Sequence, residues 1–146
     1  MERVELVTSE SEQIEEFLKC SWFAVVGASI NREKYGNKVL RSYLQAGLKA
    51  VPINPRAEEI EGQACYPSLT AAIEASSEQT PPGLSVITPP KITEAVIEEA
   101  IEQDLQHIWL QPGAESDAAE TTAREAGVNL ISSGPCVLVR LRFREQ

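Results

Sequence analysis

No apolar run in this sequence approaches the roughly 18 residues that a membrane-spanning helix needs. Hydrophobic residues make up 42% and charged residues 24%, the balance of an ordinary folded domain. Histidine is almost missing, with His107 alone, and the three cysteines, Cys20, Cys65 and Cys136, form no close pair. An odd number of scattered thiols argues against a disulfide framework or a zinc knuckle, so reduced cysteines are expected. Basic residues are scarce, 13 Lys and Arg against 22 Asp and Glu, for a formal charge of −9. Such a chain repels phosphate backbones at long range, which excludes non-specific nucleic-acid binding; any phosphate ligand must be gripped locally. The opening stretch MERVELVTSESEQIEEFLK has early acids and no uninterrupted apolar core. It reads neither as a secretory signal nor as an Arg-rich transit peptide, and the expected setting is the cytoplasm. Repeats and low-complexity segments are absent, and 146 residues suit one domain over 1–146.

What is there alternates between two periods. Ile14, Phe17 and Leu18 recur at helical spacing from Ser11 to Lys19, behind a Ser9/Glu12 capping box. WFAVVGA is continuously apolar and too short for an independent helix, which fits a strand covered on both faces. Val39, Leu40, Tyr43 and Leu44 form a helical stripe from Asn37 to Ala46, with Gly47 placed to end it. Leu48 to Asn54 reads as a strand despite Pro52, which removes one ladder donor. IEGQACYPSL allows a short strand or a turn, and Ser68 or Thr70 can start a helix carrying Leu69, Ala72 and Ile73. LSVIT is a strand, followed by a helix with Ile92, Val96, Ala100 and Ile101 on one face. HIWLQ is another strand, ESDAAETTAREAG a helix stopped by Gly127, and VNLIS a last parallel strand. Strands separated by helices imply right-handed crossovers, hence an α/β fold: a Rossmann-like three-layer sandwich with a mainly parallel sheet.

In such sheets ligands bind beyond the carboxyl ends of the strands, where the winding reverses. The residues just past four strands are Gly27-Ala28-Ser29, Asn54-Pro55-Arg56, Thr88-Pro89-Pro90 and Gln111-Pro112-Gly113. Most are small, rigid or neutral. A glycine at the first turn lets a ligand approach the backbone, and the next helix aims unpaired N–H groups at an anion. Lys34 and Arg56 can add full positive charges. The dinucleotide fingerprint G-x-G-x-x-G is missing, since no glycine stands between Gly27 and Gly36. Asn54 and Pro55 replace the acid that grips a ribose hydroxyl, so NAD(P) is disfavoured on a second count. Each feature keeps a structural alternative: Gly27 as a tight turn, Pro89-Pro90 as a helix start, Lys34 as a solvated charge, Arg56 as a partner of Glu58 or Glu59.

The ordered motifs VVGAS with KYG, VPINPR, GQACYPSL, ITPP, and IWLQPGAES through AGVNLISSGPC resemble the small stand-alone CoA-binding domain proteins. These are similar to the N-terminal domain of the succinyl-CoA synthetase α subunit. The resemblance runs from about Ser11 to Cys136. It implies that coenzyme A lies across the strand ends, with its diphosphate near Gly27, Ala28 and Ser29 and the segment Lys34, Tyr35, Gly36. Arg56, after Asn54 and Pro55, would meet a ribose phosphate. Thr88, Pro89 and Pro90 would border the nucleotide, and Gln111, Pro112 and Gly113 would line the edge toward the pantetheine arm. On this placement, Gly27→Val should abolish CoA affinity and leave the fold largely intact.

Catalysis is not expected of the isolated chain. Succinyl-CoA synthetase passes a phosphoryl group through a histidine in a domain with no counterpart in these residues, and His107 opens its strand at the end opposite the crevice. Cys136 has no evident base and reads better as a buried thiol. Acids fall on solvated helical faces such as EAVIEEAIEQD, with no pair arranged for proton transfer. The primary expectation is binding of CoA or an acyl-CoA. The alternatives are an accessory subunit of an acyl-CoA ligase or transferase, and an NAD(P)-binding protein; a homodimer is left open. In CVLVRLRFRE the apolar Val137, Val139, Leu141 and Phe143 alternate with Leu138, Arg140, Arg142 and Arg144, the period of a half-buried strand with three arginines on one face.

Overall fold

The Ser9 side chain accepts a hydrogen bond from the Glu12 N–H while the Glu12 carboxylate accepts one from the Ser9 N–H, so the expected capping box starts the first helix, α1 (Glu10–Leu18). The computed structural model describes residues 9–145. After α1 come β1 (Phe23–Val26), α2 (Tyr35–Gln45), β2 (Ala50–Ile53), β3 (Glu59–Ile60), β4 (Gln63–Ala64) and α3 (Leu69–Ala75). The chain continues through β5 (Gly83–Val86), α4 (Pro90–Glu102), β6 (His107–Leu110), α5 (Asp117–Glu125), β7 (Asn129–Ile131) and α6 (Val137–Arg140).

Five strands pair in the order β2-β1-β5-β6-β7, all parallel. Chain order reverses between β1 and β5, the switch point of a doubly wound sheet. Alternate residues of each strand feed two cores. Ala24, Val26, Leu84, Val86, Ile108 and Leu110 pack with α3, α4 and α5. Phe23, Val25, Trp109 and Ile131 pack with α1, α2 and α6. The three-layer Rossmann-like sandwich expected from the alternating periods is therefore the fold of this chain. Phe17 of α1 locks one core by meeting Phe23 and Trp109, each at 5.4 Å between ring centres.

Pro52 sits in edge strand β2 without breaking it. Its carbonyl accepts the Tyr66 N–H at 3.2 Å, whereas the Ile53 carbonyl serves Gly27 on the β1 side. The missing proline donor thus falls on the outer edge, where β1 loses no ladder bond. The segment read as strand or turn is a hairpin, β3 with β4, closed by Glu61 and Gly62 at φ 52° and 81°. At the other edge, Gln13 of α1 donates to the Leu130 carbonyl at 3.0 Å.

The C-terminal segment departs from its alternating pattern. Val137 to Arg140 form a helical turn, the Arg142 backbone turns to φ 57°, and the three arginines share no strand face. Val137 is fully buried while Val139 is 79% exposed. No free sheet edge meets this segment: α6 packs on α2, and Gln45 of α2 clasps the Arg144 backbone N–H and C=O at 3.0 and 2.7 Å.

Candidate functional site

A cavity of about 590 Å³ opens at the β1/β5 switch point. Gly27, Ala28 and Ser29 line it after β1, Asn54 and Pro55 after β2, and Thr88 after β5. Lys34, Tyr35 and Gly36 border it from the start of α2. Nine of the sequence-derived positions thus converge. Six do not line it: Arg56, Pro89, Pro90, Gln111, Pro112 and Gly113. Arg56 is exposed beside Pro55 and makes no ion pair with Glu58 or Glu59. Pro89 and Pro90 are the N-cap and first residue of α4, so the helix-start reading of this pair holds.

The bare residues at the first turn serve close backbone approach. Gly27 has φ +100°, and a Cβ there would stand 2.0 Å from the Ile87 carbonyl oxygen. A Cβ on Gly36 would stand 2.0 Å from the Gly27 carbonyl oxygen. Glycine here brings β1, the end of β5 and the first turn of α2 into contact. Gly27→Val would therefore strike the main chain of the neighbouring strand end, and the expectation that it spares the fold is corrected on that ground.

Two asparagines fix the loop: Asn54, already singled out in the sequence, and Asn37, which sequence reasoning passed over. Asn54 Nδ2 donates to the Ala28 carbonyl and Asn37 Nδ2 to the Ser29 carbonyl, both at 2.8 Å. Because a trans peptide points its C=O and N–H in opposite directions, these bonds turn the following Ser29 and Ile30 N–H groups away from the two amides. Asn37 also reaches Glu61 at 3.1 Å, and Arg41 Nε donates to Asn37 Oδ1 at 2.6 Å. Glu61 pairs with Arg32, which ties the β3–β4 hairpin to the loop. Burial raises the Glu61 pKa, but hydrogen bonds from Asn37 and Arg32 and the charges of Arg32 and Arg41 outweigh it and hold the carboxyl below its ordinary range. The only sequence signal for this network was the VPIN motif; Asn37 and Glu61 carried none.

Helix α2 begins two residues earlier than its apolar stripe suggests, at Tyr35, with Lys34 as N-cap and no side-chain cap hydrogen bond. The Asn37 N–H is taken by the Lys34 carbonyl, but the N–H groups of Tyr35 and Gly36, both bordering the cavity, have no side-chain cap, the chemistry that suits an anion. Behind the rim, Tyr35 donates to Gln111 Oε1 at 3.2 Å and lies 2.8 Å from Cys136 Sγ. Burial, then the Cys136 contact, raises the Tyr35 pKa strongly. Gln111 is fully buried; its Oε1 also accepts the Val137 N–H at 2.9 Å, which fixes the amide orientation and leaves Nε2 without a partner among the described residues. The Gln111 side chain thus joins the rim to α6 and does not reach the cavity.

His107 is remote, as its strand position implies. Its Nδ1 faces Asn129 Nδ2 at 3.0 Å in a separate groove with Glu16, Lys19 and Cys20. Burial lowers its pKa, against a smaller raising pull from Glu16. Burial also raises the Cys20 thiol to about 11.

A parallel α/β sheet with a cavity at its switch point and an uncapped helix start beside it defines a Rossmann-like ligand-binding domain. Residues 22–142 match the family model described as CoA binding domain, and the chain belongs to that family. A conserved hypothetical protein from Pyrococcus furiosus is similar at 36% identity, over 81% of this chain and 97% of that one, with a TM-score of 0.71. A hypothetical protein from Pyrococcus horikoshii OT3 matches at 26% identity over 97% and 99%, with a TM-score of 0.76. The fold also recurs in the dinucleotide forming acetyl-coenzyme A synthetase 1 of Ca. Korarchaeum cryptofilum, at 24% identity and a TM-score of 0.57. That match covers 75% of this chain and 25% of that longer one.

Proposed function

We propose that this protein holds coenzyme A, free or acylated, across the C-terminal ends of β1, β2 and β5, and that the isolated chain performs no chemistry on it. The observation that carries this reading is the uncapped start of α2 facing a largely apolar cavity at the switch point, with Lys34 as N-cap. In this reading the diphosphate sits against Gly27, Ala28, Ser29 and the Lys34–Gly36 turn. Thr88 borders the nucleotide with Pro89 and Pro90 at the rim. Arg56, exposed next to Pro55, meets the ribose phosphate outside the cavity. Pro112 and Gly113 form the edge along which the pantetheine arm leaves. The setting we infer is the cytoplasm, in keeping with three free thiols; no helix among the described residues is long and apolar enough to cross a membrane.

Titration calorimetry with CoA tests the reading. Saturable binding is expected, and Lys34→Ala should weaken it by about 1–3 kcal/mol if the phosphate contact is charge-assisted. Absence of any heat or of a CoA adduct in native mass spectrometry would overturn it. NADH fluorescence should not change on mixing, because Gly27 lacks the following fingerprint glycine and Asn54 stands where a ribose-binding acid belongs. Formation of an acyl-CoA from CoA, a carboxylate and a nucleoside triphosphate, with release of phosphate or diphosphate, by the isolated chain would replace the binding reading with the ligase one.

A further inference from the structure

Glu99 of α4 shares the cavity wall with Pro67, Leu69, Ile92 and Val96. Its Oε2 accepts two hydrogen bonds from Thr70, from the backbone N–H at 2.9 Å and from the hydroxyl at 2.6 Å. Gln103, one turn further along α4, donates to the same hydroxyl at 3.3 Å. The carboxylate is thereby held in one orientation against the first turn of α3, whose N-cap Ser68 also lines the cavity. Oε1 receives no donor among the described residues.

The surroundings of this half-satisfied carboxylate are apolar. Ile92 is 52% exposed, although its neighbours Val96 and Leu69 are buried. A flat uncharged ring laid against Ile92 would cover it, and the edge of that ring would meet an oxygen that can only accept. A ring presenting an N–H donor satisfies the site; a ring without one leaves a desolvated carboxylate oxygen unmatched, which binding sites penalise heavily. We infer that Glu99 reads the exocyclic amino group of a 6-aminopurine, so that the cavity selects adenine nucleotides over purines lacking that amine. This rests on the nucleotide reading proposed above and adds to it the residue that recognises the base.

The Thr70 tether makes a clean test possible. In Glu99→Gln the Thr70 N–H still requires an oxygen, which turns the new NH2 group toward the position of Oε1. The variant keeps the bond to α3 and converts the free acceptor into a donor. CoA, its analogue with an unsubstituted purine ring, and ADP are titrated into both proteins, with melting temperatures measured alongside. The unmodified protein should prefer CoA to the analogue by about tenfold or more, the discrimination typical of one desolvated hydrogen bond. In Glu99→Gln that preference should collapse toward unity while the melting temperature holds. Equal affinity of the unmodified protein for CoA and the analogue overturns the inference and leaves the CoA reading standing, as does an undiminished preference in Glu99→Gln. Failure of the unmodified protein to bind CoA or ADP overturns both.

Discussion

A single methyl group at position 36 would have to fit 2.0 Å from a carbonyl oxygen of the preceding loop. Gly36→Ala is therefore expected to lose on the order of 3 kcal/mol in urea unfolding, since the contact atom is main chain and cannot swing aside. Lys34→Ala, at an exposed N-cap without a side-chain cap bond, should leave that unfolding curve in place while affecting ligand affinity. Gly27 was legible as a bare turn residue, but spacing does not say which atoms approach it. Ile87 stands 60 positions further along the chain (87 − 27), so its approach is a tertiary fact. Asn37 and Asn54 were invisible as loop clamps for the same reason. His107 yields a pH test. Its folded pKa lies below the ordinary 6.5, so the unfolded chain takes up a proton first as pH falls. Stability should be fully present above that ordinary value and decline on acidification below it; His107→Gln should remove that part of the slope in chemical denaturation at stepped pH.

Elements whose signals are local were read correctly, and those that depend on a distant partner were not. The Ser9/Glu12 box spans four residues and is present with both hydrogen bonds. Ser9→Ala should cost about 1 kcal/mol of stability, and amide exchange in α1 should quicken before that of the sheet. Helix α4 likewise starts where Pro90 sets its first turn. The C-terminal segment had the correct period for a strand, yet period alone supplies no edge to pair with. Gln45 and the α2 surface were there to receive it, and Val137 alone became a core residue of the alternating set. The early start of α2 was equally hidden, because Tyr35 and Gly36 contribute to the rim and to close packing rather than to the apolar stripe.

At the scale of the molecule, a charge of −9 opposes the arrival of the phosphorylated ligand proposed for the cavity. Association with CoA should therefore quicken as ionic strength rises from about 10 to 150 mM, where the screening length shrinks to roughly 8 Å. Stopped-flow traces that slow steeply over that range would instead reveal a basic funnel at the mouth. The parallel sheet and its crossovers were legible from the alternation of periods, and the strand ends that border the cavity followed from them; the order β2-β1-β5-β6-β7 was not, because it depends on which strands pair. The two sheet borders were not legible, and they bear on self-association. Along β2 the proline offers no donor and Tyr66 already occupies its carbonyl, while Gln13 takes the outward Leu130 carbonyl of β7. Both selvedges are hemmed. A second copy seeking to run one continuous ribbon across a twofold axis would first have to displace Tyr66 or Gln13, a toll that side chains on the outer layers do not levy.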